Sequence, residues 1–214
     1  MQPPMNELLV ALLVGVLLSI SAGVRMTIPL LVVSALAYEH VVTLPSNLAW
    51  MGGEFTMILL AAAFVVETVV HFIPAAGTVL RVAATPLAFV AGTLLMAIPL
   101  GDRNPLVDWI IAGCVGGGAA ALTHLGTTGA RAATGPANLA SGGTFGIFWN
   151  IIELAASAAF LGLSALCVKA GWPVCVAVLI LLVVAAALTA RFVVYGLSRV
   201  WARVTGIFRP AAAQ

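Results

Sequence analysis

The chain has 214 residues; 63% are hydrophobic, 7% are charged, and the formal net charge is only +2. Soluble domains carry about 25% charged residues, so this composition excludes a soluble globule and predicts an all-α, polytopic membrane protein. So small a net charge gives no case for nucleic acid as a partner.

The first apolar run, residues 6–22, is long enough to span a bilayer. No Lys or Arg precedes it, so it is expected to be a retained helix and not a cleaved signal peptide. It ends at Ser21-Ala22-Gly23-Val24-Arg25-Met26-Thr27-Ile28-Pro29. An arginine inside a membrane costs roughly 2.5–3.5 kcal/mol on insertion scales, so Arg25 needs water, a carboxylate or an anion. Residues 26–38 are apolar but fall short of the ~20 residues a span needs. They are expected to form a half-helix or re-entrant segment, with a tilted span as the alternative. Residues 41–53 read as a loop, and its Trp50 suits a membrane interface.

Further spans are expected over residues 54–72 with Glu67, 82–100, and 106–125 with His124. A turn at 101–105 and a connection at 74–81 separate them. Gly113 with Gly117, and Ala88 with Gly92, are small-xxx-small pairs that let helix backbones approach. Residues 126–143 repeat the first break around Gly129-Ala130-Arg131. They read as too polar to span. Residues 145–167, with Trp149, Asn150 and Glu153, form the next span. Trp172-Pro173 opens the last, which ends near residue 197. Residues 198–214 read as a basic interfacial tail. The cysteines, Cys114, Cys167 and Cys175, show no metal-ligand spacing and read as small core residues.

The chain thus reads as one transmembrane domain with two units, about 6–100 and 106–197. Each has a helix, a Gly-x-Arg break and a later span with one glutamate. The basic C-terminus, Arg191, Arg199, Arg203 and Arg209, predicts a cytoplasmic end in a bacterial inner membrane. Six spans would make the units inverted, with Arg25 on the outer side and Arg131 on the inner. If residues 26–38 cross there are seven spans, the N-terminus is outside and Arg25 moves inside.

Charged groups in a bilayer face the bundle interior and find partners. The candidate ligand-binding or ion-pair residues are therefore Arg25, Glu67, Arg131 and Glu153, each arginine pairing with the other unit's glutamate. The simpler reading makes them struts that fix the halves together. His71, one turn after Glu67, and His124 are candidates for a proton relay; an interfacial histidine is the simpler reading. Glu67 and His71 alone make no metal site. No Gly-x-Ser-x-Gly elbow, zinc-protease helix or paired-aspartate motif occurs, so no enzyme, cofactor or metal is expected.

At residues 23–29, at Glu67 through Ile73-Pro74, at His124-Leu125-Gly126 and at Gly129-Ala130-Arg131, the chain resembles a bacterial family of integral membrane proteins known as domain of unknown function 4126. The resemblance covers roughly residues 8–165. That family typically has an acidic-basic pair before the Ile-Pro, where this chain has His71-Phe72. The resemblance implies membrane topology and no activity. More locally, Gly23 to Pro29 is similar to the Gly-x-Arg-x-x-Ile-Pro signature of the DedA family, some of which move polyprenyl-phosphate lipids. The expected function is a small transporter or channel for an ion or anionic solute, with a central polar site. The alternatives are a flippase or scramblase for phosphate-bearing lipids, and an accessory subunit of a membrane complex. The expected partners are the bilayer, an anionic solute or lipid phosphate, and other copies or subunits.

Overall fold

A computed structural model describes residues 5–71, 83–102, 104–178, 180, 181, 184 and 191, without the side chains at 70, 71, 137, 139 and 145. The chain divides into two compact units, residues 1–172 and 173–214. In the second, residues 173–178 are helical, where the last span was expected to begin. Most of that span, the basic tail and the 74–81 connection lie outside the described residues.

The regular structure of the first unit is helical throughout its described residues: α1 Met5–Val24, α2 Thr27–Tyr38, a 3-10 segment Ser46–Gly52, α3 Glu54–His71, α4 Thr85–Leu100, α5 Pro105–Ala133, α6 Gly135–Ala140 and α7 Thr144–Ala170. Within α5, Ala112–Gly117 is a π-helical turn at the glycine cluster.

Two prolines set the breaks. A proline ring inside a helix clashes with the carbonyl four residues back. For Pro29 that carbonyl belongs to Arg25, and the helix stops there. For Pro136 it belongs to Ala132, and α5 ends at Ala133. The break expected at 126–143 therefore begins later than the composition suggested. Gly126 and Gly129 lie inside α5 and Arg131 lies in its last turn, because a helical glycine costs only about 1 kcal/mol.

By length and hydropathy, Met5–Val24, Pro105–Ala133 and Gly146–Ala170 can each cross a membrane. The 3-10 segment and Glu54–Val69, bent by 64°, make a fourth if counted together. Helices α2 and α4 are apolar but short, 12 and 16 residues. At 1.5 Å per residue, α4 covers about 24 Å, less than a hydrocarbon core of about 30 Å. The chain is a membrane protein, and its exposed Phe55, Ile58, Leu122 and Phe148 suit a lipid-facing surface.

Helix α1 is the most enclosed span. It packs on α4, α5 and α7. Its contacts fix the direction of each neighbour. Gly15 faces Met96 and Pro99, while Ser19 Oγ reaches the Gly92 carbonyl at 2.9 Å, so α4 runs antiparallel. Ser21 Oγ lies 2.8 Å from Ser157 Oγ and 3.0 Å from the Ser157 carbonyl; α7 also runs antiparallel, since Arg25 meets Asn150. Leu12 and Val16 pack on the cluster that contains Ala112, and Gly23 lies on Ala120 and Thr123. Helix α5 therefore runs parallel to α1. The expected glycine seam is real but shifted. Gly92 lies against the Gly116 backbone and the Ala120 methyl group, while Gly113 faces open space.

An apolar cluster fills the α1 N-terminal end: Leu48, Met51, Met96, Ala97, Leu100 and Ala112. Ser34 Oγ donates to the Met51 carbonyl at 2.6 Å, tying α2 to the 3-10 segment. At the other end of α1 the interior turns polar. Cys114 is exposed and Cys167 buried; Cys114 is thus not the core residue the sequence suggested.

The two Gly-x-Arg glycines are not equivalent. A Cβ on Gly23 would lie 2.5 Å from the Ala120 carbonyl oxygen and from Thr123 Cβ; one on Gly129 would meet nothing. Gly23→Ala is expected to destabilise the protein by about 1–3 kcal/mol through overpacking. Gly129→Ala is expected to stabilise it by up to about 1 kcal/mol through helix propensity. Melting of the detergent-solubilised variants checks both signs.

Candidate functional site

The polar end of the bundle is assembled from inward-facing stripes. On α7, Asn150, Glu153, Ser157 and Ser164 recur at helical spacing, and all are buried. On α5, His124 and Thr128 are buried and Arg131 follows on the same face. On α1, Ser21 and Arg25 are one turn apart. Membrane helices place polar groups this way because lipid offers them no partners.

Arg25 is only 3% exposed. Its backbone N–H still bonds the Ser21 carbonyl at 3.0 Å, so it closes the last turn of α1. Its Nη2 donates to Asn150 Oδ1 at 3.3 Å. Arg131 Nη2 donates to the same oxygen at 2.8 Å. Two guanidinium groups thus share one amide oxygen. Arginine has no acceptor, so the Asn150 oxygen must be the atom that faces them.

Arg131 also grips Glu153 with two prongs, Nε to Oε1 at 2.6 Å and Nη2 to Oε2 at 2.5 Å. Side-chain exposure is 14% for Arg131 and 3% for Glu153. Such planar, charge-assisted pairs are the strong ones. The pair lies within the second expected repeat, residues 106–197, and not between repeats, which corrects the expected cross-pairing of Arg131 with Glu67. Only 22 positions separate Arg131 from Glu153, and only the short α6 lies between α5 and α7, so the local partner reaches first. Asn138 braces this turn, accepting from the Gly146 N–H at 2.7 Å through Oδ1.

Glu67 is held differently. The Thr27 N–H donates to its Oε2 at 3.3 Å, and the Thr27 hydroxyl bonds the same oxygen. Thr27 is the first residue of α2, so the carboxylate sits on a helix N-terminus, where free N–H groups and the helix dipole favour negative charge. Thr27 follows Arg25 by two residues, and Arg25 meets Arg131 and its partner Glu153 through Asn150. The four charged residues singled out from the sequence therefore form one cluster, two positive and two negative.

His124 is buried two turns before Arg131. His71 closes α3, and its side chain lies outside the described residues. Three members of the cluster were not singled out from the sequence: Asn150, Thr27 and Thr128. The signal for Asn150 was its i, i+3 spacing with Glu153 in an otherwise apolar helix.

Arg25 and Arg131 meet through the shared Asn150 at one end of the bundle, because α1 and α5 run parallel. The polar site is accordingly at one end of these helices and not midway along them.

Two buried donors at this site have no protein acceptor among the described residues: Arg25 Nε and Asn150 Nδ2. The Thr128 hydroxyl, one turn before Arg131, is buried in the same condition. An unsatisfied buried donor costs about 1–3 kcal/mol, and more for charged groups.

The chain matches the family described as Domain of unknown function (DUF4126) over residues 12–191. It belongs to that family. The match bears out the first resemblance; the DedA likeness stays a local one of seven residues. No curated protein and no solved structure matches the chain.

Arg131→Ala should strand a buried carboxylate and cost roughly 3–5 kcal/mol. Adding Glu153→Gln should recover part of that loss, and adding Glu67→Gln should recover none. A double-mutant cycle on the unfolding of the detergent-solubilised protein reads both couplings.

Proposed function

We propose that the protein is a carrier for small anionic solutes in the bacterial inner membrane, and not an enzyme. One observation carries this reading. A buried arginine and a buried asparagine share a contact, and each keeps an N–H without a protein acceptor. Two buried donors on neighbouring side chains, one of them charged, suit a carboxylate, nitrate or similar anion. The buried setting favours a carrier over an open channel, since an anion at Arg25 would leave only after the helices move.

The competing reading is a strut that holds a membrane complex together. The Arg131–Glu153 pair suits it, being complete in itself. The unmatched donors on Arg25 and Asn150 do not, because a strut gains nothing from them.

Parallel α1 and α5 favour the seven-span alternative. In it α2 crosses from the polar end to the apolar end, the N-terminus is outside and the C-terminus is cytoplasmic. Arg25, Arg131 and the basic C-terminal arginines then share the cytoplasmic side, as the distribution of positive charge favours.

Binding of an anion should raise the melting temperature of the purified protein. The stabilisation is RT ln(1 + [L]/Kd), about 2.7 kcal/mol at a hundredfold excess over Kd. A screen of nitrate, chloride, sulfate and lactate is expected to yield such a shift in wild type and none in Arg25→Lys, because an ammonium lacks the two-pronged donor. If no anion shifts wild type and Arg25→Lys melts normally, Arg25 is a strut and the carrier reading fails.

A further inference from the structure

We propose that the π-helical turn Ala112–Gly117 is a hinge, and that residues 118–133, the C-terminal part of α5, swing about it to open and close the site at Arg25. The inference rests on the anion-carrier reading and names the element that moves. In an α-helix each N–H bonds the carbonyl four residues back, and that ladder keeps the helix stiff. A π-helical turn bonds five residues back and interrupts the ladder, and such turns are where long helices kink. In α5 the interruption contains Gly113, Gly116 and Gly117, and Gly118 follows it directly. Glycine leaves the backbone there without a side chain to restrain it.

The two sides of the turn are held differently. Before it, the start of α5 is pinned. Asn104 caps the helix through the Val107 N–H, and Asp108 Oδ2 accepts from the Asn104 N–H at 2.8 Å. Ala112 belongs to the apolar cluster with Leu48, Met51, Met96 and Leu100. After the turn, α5 lies on small residues, Ala120 on Gly92 and on Gly23. Such smooth surfaces allow packed helices to shear. The far end of the moving part reaches the site, because Arg131 sits in its last turn. Arg131 holds Glu153 by bonds of 2.6 and 2.5 Å and Asn150 by one of 2.8 Å, whereas Arg25 holds Asn150 at 3.3 Å. A swing that parts the longest of these bonds frees Arg25 and leaves the Arg131–Glu153 pair whole.

Two of the glycines permit a test without crowding, since a Cβ on Gly113 or Gly118 would meet nothing within 4 Å. Alanine at both favours a regular α-helix. Gly126 and Gly129 also face open space, beyond the turn, and serve as the control pair. Spin labels on Val107→Cys and Leu125→Cys, with the native cysteines changed to alanine, flank the turn at exposed positions. They lie about 27 Å apart along the helix. Pulsed electron paramagnetic resonance on the full-length protein in nanodiscs then reads the bend. The hinge predicts two label distances in wild type, whose proportions change with saturating nitrate. It predicts one distance in Gly113→Ala/Gly118→Ala and two in Gly126→Ala/Gly129→Ala. In proteoliposomes, nitrate uptake should slow by about tenfold or more in the first variant and keep the wild-type rate in the second. Nitrate should still raise the melting temperature of both. A single distance in wild type, or two that persist in Gly113→Ala/Gly118→Ala, overturns the hinge whatever the protein carries. Uptake at the wild-type rate in Gly113→Ala/Gly118→Ala overturns its role in opening the site. Two distances in a wild type that neither binds nor takes up nitrate or lactate overturn the carrier reading and leave the hinge standing. The wild-type distances need no glycine variant, so a misfolded variant does not remove the test.

Discussion

The arrangement depends on one constraint: Arg25 is buried at the end of the most enclosed helix of the bundle. A guanidinium there cannot reach water, so the rest of the fold must supply polar atoms around it. Pro29 starts the process by ending α1 at Arg25. Gly23 continues it, because its missing side chain lets α1 lie against the α5 backbone. Ser21 and Ser157 bring α7 alongside α1. Asn150 then arrives where both arginines can use its oxygen. Each step is a local steric or hydrogen-bonding fact, and together they bring parts of five helices to one small volume.

The site combines two kinds of contact with different consequences. Arg131 and Glu153 form a closed pair, with both oxygens of the acid engaged. It fixes α5 to α7 and suits a rigid part of a moving protein. Arg25 is held less completely, by one amide oxygen, with its Nε lacking a protein acceptor among the described residues. That donor can take a bond to a ligand without breaking the Arg131–Glu153 pair. Overall neutrality makes the cluster tolerable in a membrane.

Much of this was legible in the sequence. The composition required a helical membrane protein. The rarity of charge in apolar runs singled out Arg25, Glu67, Arg131 and Glu153, and these four do form one cluster. The pairing was not legible, because it depends on whether α1 and α5 run parallel or antiparallel. That is set by contacts such as Gly23 on Ala120, which no spacing announces. The similarity of the two Gly-x-Arg phrases also misled. Gly23 is a packing glycine, whereas Gly129 faces open space, so equal letters did different jobs. The end of α5 was misplaced because glycines and threonines looked like a break, while Pro136 makes it. Asn150 was visible in its span but not as a site residue, because one uncharged polar residue in a span has many ordinary explanations, and only its place between two arginines gives it weight.

The account turns on what surrounds the Arg25 guanidinium. An experimental density map of the protein in lipid nanodiscs, determined with a saturating anion from the melting screen, observes this directly. The account predicts that Arg25 stays inside the bundle and shares the Asn150 amide oxygen with Arg131. It also predicts a bound anion within hydrogen-bond distance of both Arg25 Nε and Asn150 Nδ2. A map in which Arg25 leaves the bundle for the headgroup layer, or in which these two nitrogens meet only protein atoms, would contradict it.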